Sequence, residues 1–135
     1  GVAPADASEA PASGGNLEEA ERKKGLGNTA FQAKKYPEAF RHYTEAIEEA
    51  GDAAPGVFFS NRAVCRAAMD DWSGTRADCE QALKRPGGIT KKALYQKARS
   101  ELRLQMLDAA SQTLQLAEEH KLRADVEKLL KEDAA

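Results

Sequence analysis

Small and apolar residues recur along this chain at a spacing that predicts paired amphipathic helices. Three times, two small residues lie seven positions apart with a larger apolar residue or a cysteine between them, in the segments 39–46, 75–82 and 110–117. A large apolar residue recurs in register with them, at Tyr36, Trp72 and Leu107, so successive copies are offset by 36 and then 35 residues. A period of this length predicts an array of helix-turn-helix repeats, because each repeat buries its apolar face only against its neighbours.

Each copy is predicted to contain two helices separated by a short turn. The predicted repeats cover about residues 18–50, 55–85 and 90–119, with helices at 17–34, 37–50, 55–69, 73–84, 90–103 and 108–119. A seventh amphipathic helix at about 122–131 is expected to cap the last repeat, since the ends of repeat arrays need a polar outer face. The 26 alanines, against six valines and isoleucines together, favour helices over strands. The predicted fold class is therefore all-α.

The first fifteen residues differ from the rest in composition. Residues 1–15 consist mainly of Ala, Pro, Ser and Gly with two acids, and Val2 is the one larger apolar residue, too little to anchor the segment in a core. This composition predicts a disordered lead-in or linker, followed by a repeat domain at 16–135. Asn16 and Glu19 have the spacing of a helix-capping box, which predicts that order begins at Asn16.

Composition also argues against several classes of function. A net charge of −2 argues against nucleic-acid binding, and no apolar run reaches the roughly 18 residues of a membrane span. Cys65 and Cys79 are too few for a disulfide framework or a zinc site and are predicted to be buried thiols. Gly87-Gly88 lacks the Lys-Ser/Thr of a phosphate loop, and no nucleophile lies in an activating motif. We therefore expect no enzymatic activity, no cofactor and no metal, and, without a visible secretory signal, a cytoplasmic location.

The repeat pattern resembles the tetratricopeptide repeat (TPR) family over about residues 18–131. The family's small residues are matched by Gly27, Ala39 and Ala46. The runs Lys-Gly-Leu-Gly-Asn at 24–28 and Phe-Ser-Asn-Arg-Ala at 59–63 resemble its carboxylate-clamp subclass. The resemblance implies a right-handed superhelical solenoid of three repeats with a capping helix. It also implies a monomeric co-chaperone adaptor that binds the C-terminal Glu-Glu-Val-Asp of heat-shock protein 90 or heat-shock protein 70.

Four residues match the clamp positions of that subclass, Lys24, Asn28, Asn61 and Lys92, and Gln96 occupies the fifth position. Lysines supply charge and asparagine amides supply oriented N–H donors, a combination suited to the two carboxylates of a terminal Asp. The family normally has Arg where this chain has Gln96, and Gln lacks both the charge and the planar fork. Either Arg99, one turn along the same helix face, restores the charge, or the domain binds chaperone tails weakly or prefers another ligand.

Further residues are predicted to support the groove. Phe31, Val64 and Ala67 are expected to offer an apolar pocket for a Val or Met side chain of the peptide, and Arg99 and Arg103 to extend the basic face. The alternative function is a TPR scaffold, or an organelle import-receptor module, that binds a non-chaperone peptide in the same groove.

Overall fold

The computed structural model describes residues 16–135, and their contacts divide the chain into two units, residues up to Ala54 and Pro55–Ala135. The predicted lead-in, 1–15, lies outside the described residues. No strand occurs within 16–135, and no helix in this part of the chain has the length and apolarity needed to cross a membrane.

The first unit is one helical hairpin. Helix α1 spans Leu17–Gln32, α2 spans Tyr36–Ala50, and a short 3-10 turn follows at Gly51–Ala53. Asn16 caps α1 as predicted, because its Oδ1 accepts a hydrogen bond from the Glu19 amide at 3.0 Å. The Glu19 carboxylate pairs instead with Arg22 one turn later. Ala39 and Ala46 of α2 are buried, and their small side chains permit close approach of the two helices.

The second unit contains the remaining five helices described. They are α3 (Gly56–Ala68), α4 (Trp72–Leu83), α5 (Lys91–Arg103), α6 (Leu107–Glu119) and α7 (Arg123–Ala134). Thr90 caps α5 as predicted, accepting from the Ala93 amide at 3.1 Å. Val126 of α7 is buried in one cluster with Leu94 of α5 and Ala117 of α6. Helix α7 therefore covers an apolar face of the last repeat, as a capping helix should.

Buried charge and buried thiols complete the interior of the second unit. Glu101 of α5 accepts from Arg76 of α4 at 2.7 Å, from Lys97 at 2.7 Å and from Thr113 of α6 at 2.6 Å, which ties three helices together. Cys65 and Cys79 are buried, and burial raises the pKa of the Cys79 thiol, which keeps it protonated.

Every predicted helix is present, and the differences lie at helix ends. The end predicted at residue 34 lies at Gln32, and the last helix continues beyond residue 131 to Ala134. The four turns that follow α1, α3, α5 and α6 share one backbone device: a residue with positive φ at Lys34, Asp70, Gln105 or Lys121. The next amide then bonds back to the carbonyl five residues earlier, as from Lys35 to Ala30 at 2.9 Å, which closes the helix. Lys34, Asp70 and Gln105 are themselves 36 and 35 residues apart, the same offsets that separate the sequence repeats.

Candidate functional site

The predicted binding residues of the first unit lie on one face of α1. Lys24 and Asn28 are one turn apart, and the Lys24 ammonium pairs with Glu21 Oε1 at 2.9 Å. The Tyr43 hydroxyl of α2 donates to Asn28 Oδ1 at 2.6 Å. With its oxygen held in this way, Asn28 can offer a ligand its amide N–H groups.

Gly27 explains how Tyr43 reaches Asn28. A Cβ atom at Gly27 would lie 2.5 Å from Tyr43 Cε1 and 2.6 Å from Tyr43 Cδ1. The absence of a side chain therefore lets the aromatic ring of α2 rest directly on the backbone of α1. Both residues belong to the repeat pattern, so the same packing that joins the two helices also orients the predicted binding asparagine.

The second unit brings together a predicted lysine and a predicted asparagine that are 31 residues apart in sequence. Lys92, in the first turn of α5, donates to Oδ1 of Asn61 on α3 at 2.8 Å. The bond again fixes the amide so that its N–H groups are the ones a ligand can use. Lys91 and Lys92 also occupy a helix start, where the helix dipole favours acidic residues over basic ones. The basic first turn of α5 is therefore less stable than an acidic one would be, but it places positive charge beside Asn61.

Gln96 and the two arginines that follow it on α5, Arg99 and Arg103, contact each other and α7, whereas Lys92 contacts α3. Gln96 is only 7% exposed, and its Oε1 lies 3.5 Å from Nη1 of Arg99. The guanidinium of Arg99 reaches Asp133 of α7 at 2.9 Å, and Arg103 reaches the other oxygen of the same carboxylate, also at 2.9 Å. Both guanidiniums lie over the ring of Trp72, 4.9 and 4.6 Å from its centroid.

Asp133 was not predicted from the sequence as part of this surface. Burial raises the pKa of Asp133, but the hydrogen bonds and charges of Arg99 and then Arg103 outweigh this and hold that pKa below its usual value. Asp133 is therefore ionised at neutral pH. No local sequence signal pointed to it, because it lies 34 residues beyond Arg99 on a helix predicted to end at residue 131.

The three apolar residues predicted to support binding differ in exposure. Phe31 is half-buried and its ring lies 5.3 Å from that of Tyr36, while Val64 of α3 is also half-buried. Ala67 is 4% exposed and offers almost no surface to a ligand. The contribution of these three residues to binding remains a prediction.

The described residues carry little that suggests another kind of site. An open cavity between the end of α6 and the start of α7 is lined by residues of mixed charge, and none of the residues predicted for binding lines it. Within 16–135, no group of three or more His, Cys, Asp or Glu side chains is arranged to hold a metal ion.

No family model matches the chain, but individual proteins and structures do. The chain is 32% identical over 92 residues to the Hsp70/Hsp90 co-chaperone cns1 of Schizosaccharomyces pombe, covering 67% of this chain and 25% of that protein. It is 32% identical over 93 residues to the mitochondrial import receptor subunit TOM70 of Rattus norvegicus, covering 66% and 15%. The chain spans a quarter or less of the length of the curated relatives it matches.

A solved structure extends this similarity to the fold. The second TPR of Spaghetti (RPAP3), bound to the HSP90 peptide SRMEEVD, superposes with a TM-score of 0.67 and 28% identity, covering 74% of this chain and 84% of that one. The predicted all-α fold of helix-turn-helix repeats is confirmed.

Proposed function

We propose that this chain, which is a tetratricopeptide repeat domain, is a non-enzymatic adaptor that binds the acidic C-terminal peptide of heat-shock protein 90 or heat-shock protein 70. The proposal concerns this domain, a fraction of the length of its relatives, and places it in the cytoplasm as a monomer that needs no cofactor.

The observation that carries the proposal is the contact between Lys92 and Asn61. The 2.8 Å bond holds a cation and an amide side by side on two helices that are distant in sequence. A carboxylate that approaches them meets one ammonium group and oriented N–H donors, and such charge-assisted bonds are stronger and more directional than neutral ones. A terminal Asp suits this arrangement because it presents both a side-chain and a main-chain carboxylate.

The first unit offers the same two side-chain types on a single helix. Lys24 and Asn28 lie one turn apart on α1, and Tyr43 holds the amide oxygen of Asn28. The resemblance to the clamp subclass assigns Lys24, Asn28, Asn61, Lys92 and Gln96 to one ligand. The co-chaperone cns1 and the HSP90-peptide complex of the second TPR of Spaghetti support a chaperone tail as that ligand.

Isothermal titration calorimetry with a Glu-Glu-Val-Asp peptide tests the proposal. We expect saturable binding that weakens when the peptide terminus is amidated and when the salt concentration is raised. Lys92→Ala should weaken binding about tenfold or more, since a bond to a charged group contributes about 1.5–3 kcal/mol. Lys91→Ala is the matched control, because it removes the same charge from the neighbouring exposed position and should change affinity far less.

Two results would contradict the proposal. One is equal binding of the free-acid and amidated peptides. The other is an equal loss for Lys91→Ala and Lys92→Ala, which would indicate general attraction to a basic helix end and no specific carboxylate site.

A non-chaperone peptide remains a second candidate ligand because of Gln96. The residue is uncharged and nearly buried, so the fifth clamp position offers no exposed cation. The similarity to an import receptor subunit supports this candidate. It predicts that acidic peptides of other sequence bind more tightly than Glu-Glu-Val-Asp in the same titration.

A further inference from the structure

We infer that Asp133 acts as an internal competitor, occupying the arginines of α5 that an acidic peptide would otherwise engage and so lowering the affinity of the domain for its peptide. The inference rests on the proposed function, since it concerns the regulation of the same basic face.

The contacts of Asp133 are those expected of a bound carboxylate. Its two oxygens each accept from a different guanidinium, of Arg99 and of Arg103, both at 2.9 Å. Trp72 supports these guanidiniums from one side with its ring. Two planar cations held over an aromatic face form a receptor for an acidic side chain, and here that side chain belongs to the chain itself.

The occupied arginines belong to the helix face that carries the predicted binding residues. Lys92, Gln96, Arg99 and Arg103 follow one another along α5 at spacings of four, three and four residues. The Arg99 guanidinium contacts both Gln96, through Nη1, and Asp133, through Nη2. The charge that Gln96 lacks is therefore present one turn away but already neutralised by α7.

The attachment of α7 suits it for release at one end. Val126, in the first turn of the helix, is buried in the core beside Leu94 and Ala117. In the last turn, Lys131, Glu132 and Ala134 are exposed, whereas Asp133 is 17% exposed. Asp133 is thus the least exposed side chain of the last turn, and Leu130, just before this turn, packs against the core cluster. Exchanging Asp133 for a carboxylate of the ligand therefore requires loosening the residues after Leu130 and leaves the core intact.

Asp133→Asn tests the competition directly. Removing the competing charge should tighten binding of a Glu-Glu-Val-Asp peptide by about two- to fivefold, the range expected for a partly exposed ion pair. Glu132→Gln is the matched control, because it removes one negative charge from the adjacent exposed position and should leave affinity close to that of the parent. Asp133→Glu keeps the charge and should also bind like the parent. In an Arg99→Ala, Arg103→Ala background, Asp133→Asn should have no effect.

Amide hydrogen exchange on the unmodified chain gives a second measurement that needs no variant. If the peptide displaces Asp133, saturation with peptide should speed exchange in the last turn of α7, because the coupling between the two carboxylates is reciprocal. Unchanged or slower exchange there would overturn the inference, even if Asp133→Asn fails to fold.

The possible failures are distinguishable. Equal peptide affinity of the parent and a helical Asp133→Asn variant means that Asp133 only attaches α7, which overturns the inference and leaves the proposed function standing. Tighter binding by Glu132→Gln, to the same extent as by Asp133→Asn, also overturns the inference, because net charge alone then explains the gain. No binding by the parent or by either variant overturns the proposed function and the inference with it.

Discussion

At the scale of single residues, the two glycines of α1 have opposite roles. A Cβ atom at Gly27 would meet the ring of Tyr43 at 2.5 Å, whereas a Cβ atom at Gly25 would meet nothing within 4 Å. Tyr43 is buried and its ring cannot swing away easily. Gly27→Ala should therefore destabilise the domain by about 1–3 kcal/mol through overpacking, despite the better helix propensity of Ala. Gly25→Ala should stabilise it by about 0.5–1 kcal/mol.

Urea denaturation of both variants measures this difference. The displaced ring also carries the hydroxyl that orients Asn28, so Gly27→Ala should weaken peptide binding as well. Equal stability of the two variants would mean that α1 and α2 separate without loss, contrary to the close contact described.

At the scale of elements, the turns after α1, α3, α5 and α6 each place a non-glycine residue in the left-handed region. Gln105 has φ 60 and is exposed, in the turn between α5 and α6. Glycine adopts this conformation without the penalty of about 1 kcal/mol that a side chain carries. Gln105→Gly should thus stabilise the domain by up to about 1 kcal/mol, after allowance for the greater freedom of glycine in the unfolded chain.

Gln112→Gly is the matched control for this change. Gln112 is exposed in the interior of α6, so the same substitution should destabilise by about 1 kcal/mol there. Thermal melts should move in opposite directions for the two variants. Movement in the same direction would show that the turn at Gln105 stores no backbone strain.

The same turns show which features of the fold the sequence carries. The helices were predictable because small residues such as Ala39 and Ala46 must recur where two helices approach closely. Their ends were less predictable, since Lys34 and Gln105 close helices in a conformation usually taken by glycine and leave no compositional mark. The hydrogen bond between Lys92 and Asn61 joins two helices and is not reported by any local pattern; their shared role in binding stays a prediction. The pairing of Arg99 with Asp133 is a tertiary contact that no local pattern reports.

At the scale of the whole molecule, the proposed function requires residues from both units. It assigns Lys24 and Asn28, of the first unit, and Asn61 and Lys92, of the second, to the same peptide. A ligand that binds only the folded state stabilises that state by about 2.7 kcal/mol when its free concentration is about 100 times its dissociation constant. Peptide binding should therefore slow amide exchange in both units, in α1 as well as in α3 and the first turn of α5.

Site-resolved hydrogen exchange with and without a Glu-Glu-Val-Asp peptide measures this distribution. Lys24→Ala provides the internal comparison: it should reduce the protection in α1 and weaken binding about tenfold, because a charge-assisted bond of about 1.5–3 kcal/mol is lost. Protection confined to Pro55–Ala135, together with parent-like affinity of Lys24→Ala, would remove Lys24 and Asn28 from the site. The peptide would then be held by the second unit alone, with Lys92 and Asn61 as its carboxylate-binding pair. Protection in both units that disappears on amidation of the peptide would instead show that binding at both units depends on the terminal carboxylate.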